Sequence, residues 1–91
     1  MSGWRIETSE AFDTSIRKLD RAIARRMIDY LEALLELEDP RQRGRGFTAN
    51  RSGYWRYRVG DYRILTQLED DLLIIVAIDV AHRSEVYSDK G

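Results

Sequence analysis

The segment Trp4-Arg5-Ile6-Glu7-Thr8 alternates apolar and polar side chains, the period-two pattern of a short strand. The period then changes. Ser9 is placed to cap a helix in which Phe12, Ile16 and Leu19 recur at helical spacing, and Asp20 to cap a longer one. Ile23, Met27, Leu31 and Leu34 make a stripe along that second helix, with Tyr30 beside it. Stripes of this kind face a core. So short a connection around Leu19-Asp20 makes the two helices antiparallel neighbours. The second helix is expected to end near Glu38-Asp39, because Pro40 biases its predecessor away from helical geometry. Residues 40–53 read as a loop, with Phe47 folding back as a core anchor and arginines around it in water or on a ligand. Period two then returns in three strands, about 54–59, 62–68 and 72–81. Gly60-Asp61 joins the first two as a two-residue loop, and glycine at its first position suits a type II′ turn. Glu69-Asp70-Asp71 joins the last two. Leu72, Ile74, Val76, Ile78 and Val80 give the final strand one apolar face. The order β-α-α-β-β-β predicts a single α+β domain over residues 1–91, an antiparallel sheet with two helices packed on one face.

The two-residue loop fixes a register, and the register fixes the faces. Val59 falls opposite Tyr62, Arg58 opposite Arg63, Tyr57 opposite Ile64 and Arg56 opposite Leu65. Trp55, Tyr57, Val59, Tyr62 and Ile64 then share the face that takes the helices, and Arg56, Arg58 and Arg63 share the other. Like charges opposed across a hairpin are destabilising by up to about 1 kcal/mol. Such a local violation is what a functional site tends to look like; the plain alternative is three arginines held apart by water, with Asp61 or Asp79 nearby. By parity Asp79, Ala81 and Arg83 join the arginine side, and small residues at Ala77 and Ala81 leave room above the sheet. Tyr87 either folds over this face to stack on a base or pins the C-terminal tail. His82 has the parity of the core stripe at the strand's end, and is a proton carrier only if it turns outward.

Composition narrows the chemistry. Without cysteine and with one histidine, neither a disulfide framework nor a thiolate or histidine metal site is expected. No apolar run of signal-peptide length opens the chain, and residues 72–78 are too short to span a bilayer, so a soluble cytoplasmic protein with no membrane contact is the expectation. The net charge of −1 conceals an asymmetry: nine carboxylates lie between residues 7 and 39, then seven arginines between 41 and 63 against Asp61 alone. A local anion site follows, and arginine's planar fork suits phosphate, hence nucleic acid.

The segments GYWRYRVGDYRIL (53–65) and HRSEVY (82–87), with the paired helices and basic loop before them, resemble the RelE branch of the RelE/ParE superfamily of type II toxin–antitoxin toxins. The resemblance covers nearly the whole chain. It implies a microbial ribonuclease-like fold, cleavage of mRNA in the ribosomal A site without a cofactor, and neutralisation by a RelB-like antitoxin. By position it assigns the site to Arg56, Arg58, Arg63, Arg83 and Tyr87. Two departures stand out: the family often has lysine at positions 56 and 58, and some active members have an arginine at position 81, where this chain has Ala81.

The chemistry leads to the same residues. Metal-free RNA cleavage uses the substrate's 2′-hydroxyl as nucleophile and leaves a 2′,3′-cyclic phosphate, so the protein must stabilise a phosphorane that gains negative charge. Arginine does this but is a poor acid or base, since its pKa exceeds about 12. Arg56, Arg58, Arg63 and Arg83 are therefore phosphate ligands, and His82, Tyr87 or Glu85 is left to move protons. Arg43, Arg45 and Arg51 are candidates for contacting RNA. Two rival readings remain: a ParE-like inhibitor of DNA gyrase without ribonuclease activity, and a non-catalytic RNA-binding module.

Overall fold

In the computed structural model, which describes residues 3–46 and 53–82, the first change of period falls at Ser9. Its hydroxyl oxygen accepts from the Phe12 N–H at 3.0 Å and donates to the Ile78 carbonyl. One side chain thus caps α1 (Glu10–Lys18) and fastens it to the last strand. Asp20 caps α2 (Arg21–Leu34) by accepting from the Ala22 N–H at 3.1 Å. α2 stops before the expected end at Glu38-Asp39. The amides of Leu35, Glu36 and Leu37 bond back only three residues, to Glu32, Ala33 and Leu34, which tightens the chain out of α geometry. Asp39 instead caps a separate 3₁₀ turn, Pro40–Gln42, accepting from the Arg41 N–H at 2.9 Å.

Five strands form the sheet: β1 (Arg5–Thr8), β2 (Arg45–Gly46), β3 (Tyr54–Val59), β4 (Tyr62–Glu69) and β5 (Ile74–His82), in the order β1-β5-β4-β3-β2. The α+β architecture and the two helices on one face agree with the sequence; the sheet itself is mixed. β1 runs parallel to β5, with Arg5 opposite Ile74 and Thr8 opposite Ala77. Tight turns dictate antiparallel pairing only where they occur. The chain between β1 and β5 holds both helices and three other strands, length enough to permit the parallel arrangement.

Phe12, Met27, Leu31 and Leu34 from the helices interlock with Tyr57, Val59, Ile64, Leu68, Ile75 and Ala77 from the sheet. The even-numbered stripe expected on β5 is only half right. Leu65 pairs with Asp79 but Thr66 with Ala77, so Ile78 is an extra residue in the ladder. Such a bulge reverses the parity of a strand. Below it Ile75 and Ala77 face the helices and are fully buried; above it Val80, opposite the buried Ile64, does. Ala77 therefore makes no room on the arginine side. β5 also begins later than expected, because Leu72 and Leu73 belong to the preceding turn, where both are exposed and Leu73 has a φ of 56°. The anchor expected at Phe47 lies outside the described residues.

Candidate functional site

The β3–β4 hairpin has the register set by its loop: Val59 opposite Tyr62, Arg58 opposite Arg63, Tyr57 opposite Ile64 and Arg56 opposite Leu65. Gly60 takes a φ of 61° while Asp61 keeps a negative one, the signature of the type II′ turn. Tyr57 and Ile64 are fully buried among the helices, so Arg56, Arg58 and Arg63 stand on the opposite face. A fourth arginine joins them. β2 pairs Arg45 directly with Arg56, so the face carries two rungs of opposed arginines, 45/56 and 58/63.

These four side chains, with Gly44, Tyr57 and Tyr30 of α2, line a cleft of about 350 Å³. The cleft wraps around the edge of β3, because β2 pairs only with Trp55 and Arg56 and leaves the rest of that edge uncovered. Arg45 and Arg58 are exposed and form no ion pair among the described residues.

Segment 39–46, which carries Arg43 and Arg45, is held from several sides. The Tyr57 hydroxyl donates to the Pro40 carbonyl at 2.8 Å, and burial pushes that hydroxyl well above the usual tyrosine range. Trp55 Nε1 donates to the Arg43 carbonyl at 2.6 Å. Arg41 lies over the Trp55 ring and grips Asp70 with both terminal nitrogens, at 3.0 and 2.7 Å. Those hydrogen bonds hold the Asp70 carboxyl below the usual carboxylate range. Arg41 thus works on structure, apart from the cleft. Tyr57→Phe is expected to cost about 1–3 kcal/mol in urea denaturation, since it leaves the Pro40 carbonyl without its buried donor.

The model of a family described as the ParE toxin of type II toxin–antitoxin systems, parDE, matches residues 6–87. The chain belongs to this family. Its fold is also that of the RelE branch of the RelE/ParE superfamily. A chain of the RelBE2 toxin–antitoxin complex from Mycobacterium tuberculosis superposes with a TM-score of 0.79 at 21% identity, covering 92% of this chain and 95% of that one. A chain of the RelB–RelE complex from Methanococcus jannaschii gives 0.71 at 20% identity, covering 93% and 99%. The isolated Escherichia coli RelE toxin gives 0.69 at 23% identity, covering 94% and 93%. No curated protein sequence matches the chain.

In this ParE-family toxin the residues singled out from the sequence are sorted by the sheet. Arg45, Arg56, Arg58 and Arg63 come together. Ala81 sits directly opposite Arg63, so the position that is arginine in some relatives does face the cluster. Arg43 lies over the Tyr30 ring at the cleft's other side, 5.9 Å from its centroid. His82 is not brought to the arginines: it pairs with Tyr62 on the helix-facing side, ring to ring at 5.0 Å and nearly perpendicular. Asp79 is held by the Ser15 hydroxyl of α1 at 2.7 Å and by the Val80 N–H at 2.7 Å. Arg51, Arg83, Glu85 and Tyr87 lie outside the described residues.

Sequence reasoning placed Tyr30 beside the core stripe, where it does pack, but missed that it also walls the cleft, and missed β2. The signal for β2 was present in Gly44-Arg45-Gly46, an arginine between two glycines, which marks close backbone approach. Among the described residues no three His, Asp or Glu side chains group closely enough to hold a metal ion, and no helix is long and apolar enough to cross a membrane.

Proposed function

We propose that this toxin is an endoribonuclease that cuts mRNA in the ribosomal A site. What carries the reading is the cleft around the edge of β3, which four arginines line together. Two opposed arginine rungs weaken the sheet, and a bound ribose-phosphate backbone relieves that repulsion. In the reaction the substrate's 2′-hydroxyl attacks the adjacent phosphorus and gives up its proton. The P–O5′ bond breaks and the 5′ oxygen takes a proton, leaving a 2′,3′-cyclic phosphate and a 5′-hydroxyl. Arg56, Arg58 and Arg63 bind the phosphate and stabilise the charge of the phosphorane. Arg83 and Tyr87 complete the site on the strength of the family resemblance, with Tyr87 or Glu85 moving protons. Arg43, Arg45 and Arg51 contact the RNA on either side of the cut. The toxin acts in the cytoplasm on translating ribosomes, and a RelB-like antitoxin neutralises it by covering the arginine face with an acidic or helical segment.

A second reading is favoured by the matching family model, whose description is that of a ParE toxin. A ParE-like inhibitor of DNA gyrase does not cut RNA and has no use for an arginine cluster. One pair of assays separates them. In a cell-free translation reaction, message ends mapped by primer extension are expected to show new cuts at defined codon positions that vanish when ribosomes are omitted. In a supercoiling assay gyrase is expected to stay active. Intact message with arrested gyrase would establish the second reading instead.

A further inference from the structure

We infer that Tyr30 and Arg43 form a subsite that stacks one nucleobase of single-stranded RNA beside the arginine cluster. The inference rests on the ribonuclease reading and adds to it a residue from outside the sheet. Tyr30 is half-buried on α2, where its ring leans on the ring of Tyr57 at 5.8 Å and 58°. Tyr57 is itself fixed, fully buried and hydrogen-bonded to Pro40, so the backing of Tyr30 is rigid. The guanidinium of Arg43 lies over the Tyr30 ring and is exposed, with no carboxylate partner among the described residues.

A tyrosine serving only the core needs neither a cationic plane over it nor a place in the wall of a polar cleft. Tyr30 has both, in a cleft of about 350 Å³ that it shares with Arg45, Arg56, Arg58 and Arg63. That volume falls within the usual range of small-ligand sites, about 300–1,000 Å³. A single-stranded nucleotide presents a flat base joined to a phosphate. Aromatic rings and guanidinium planes take the first by stacking, and arginine forks take the second. A phosphate on the arginine face leaves its neighbouring base to reach around the bare edge of β3 to Tyr30. There the exposed Arg43 side chain swings off the ring and closes on the outer plane of the base, which is held whatever its sequence.

The test uses a short single-stranded RNA whose 2′-hydroxyl at the cut site is replaced by hydrogen, so that it binds without being cleaved. Affinity is read by fluorescence anisotropy, with an abasic residue stepped along the positions flanking the cut. At one position loss of the base is expected to weaken wild-type binding roughly 5- to 100-fold. Tyr30→Phe should respond like wild type. Tyr30→Leu should start weaker and lose little more at that position, because the stacking ring has already gone; the surface change Arg43→Ala, which removes one of the two planes, should show a penalty reduced from that of wild type. Arg43→Ala keeps the test open if Tyr30→Leu loosens the packing on Tyr57. Abasic penalties equal in wild type and both variants at every position would overturn the subsite while leaving the ribonuclease reading intact. Failure of the wild-type protein to bind the RNA would overturn the subsite, and the ribonuclease reading falls separately, if translated message stays uncut.

Discussion

Arg58→Ala is expected to lower message cleavage about 10²–10³-fold and to relieve growth arrest, while the protein melts at the same temperature or a higher one. The rate loss is the typical cost of removing one preorganised charge from a developing oxyanion. The stability gain comes from the ladder. Arg58 faces Arg63 directly and is exposed, so its removal deletes a like-charge rung and little packing. A gain of up to about 1 kcal/mol would raise the melting temperature by roughly 4–8 °C in a domain of this size. Arg63→Ala should lose activity equally without the gain, because Arg63 is half-buried and its stem packs on the sheet. Arg58→Lys restores charge but not the planar fork, and should recover part of the rate. Primer extension on a translated message and a thermal melt read the two effects. Undiminished toxicity in an Arg56/Arg58/Arg63 triple alanine variant would refute the assignment.

Gly44→Ala is the second change with a large expected effect, and it acts on the fold first. Gly44 has a φ of 78°, in the left-handed region that costs other residues about 1–2 kcal/mol. A β-carbon there would collide with the Arg56 carbonyl and come within 2.7 Å of the Tyr57 ring and 2.8 Å of Trp55 Nε1. A backbone oxygen in a ladder cannot move aside as a side-chain tip can, so the segment must peel from β3. The combined cost is expected to be roughly 2–5 kcal/mol. Urea denaturation measures it, and cleavage should fall with it, because Arg45 loses its place opposite Arg56. A variant as stable and as active as wild type would show that the cleft does not need the 45/56 rung.

How much of this was legible beforehand depended on how local the signal was. The two helix caps, the hairpin turn and the side taken by Arg56, Arg58 and Arg63 all follow from contacts within a few residues, and all appear as read. Both recognisable segments likewise led to the right toxin superfamily. The errors concern partners distant in sequence. Ile78 looks like any member of an alternating strand, since nothing nearby shows that β4 passes it without a matching residue. Tyr30 packs on the core as its place beside the stripe implies, but helical periodicity does not report the cleft that its exposed side lines. β2 is too short to show any period at all. The direction of β1 is set by a strand at the other end of the chain.

That last pairing bears on how the toxin is made. β5, the last strand in the sequence among the described residues, lies between β1 and β4, and Ser9 bonds to Ile78 across a sequence separation of 69. A nascent chain still short of β5 offers β1 no partner strand and Ser9 no carbonyl to bond, so β1 and α1 must wait for β5 to leave the ribosome before they dock. Closing so large a loop is slow. The N-terminal strand and helix are therefore the last parts of the fold to be fastened, although they are the first to be made.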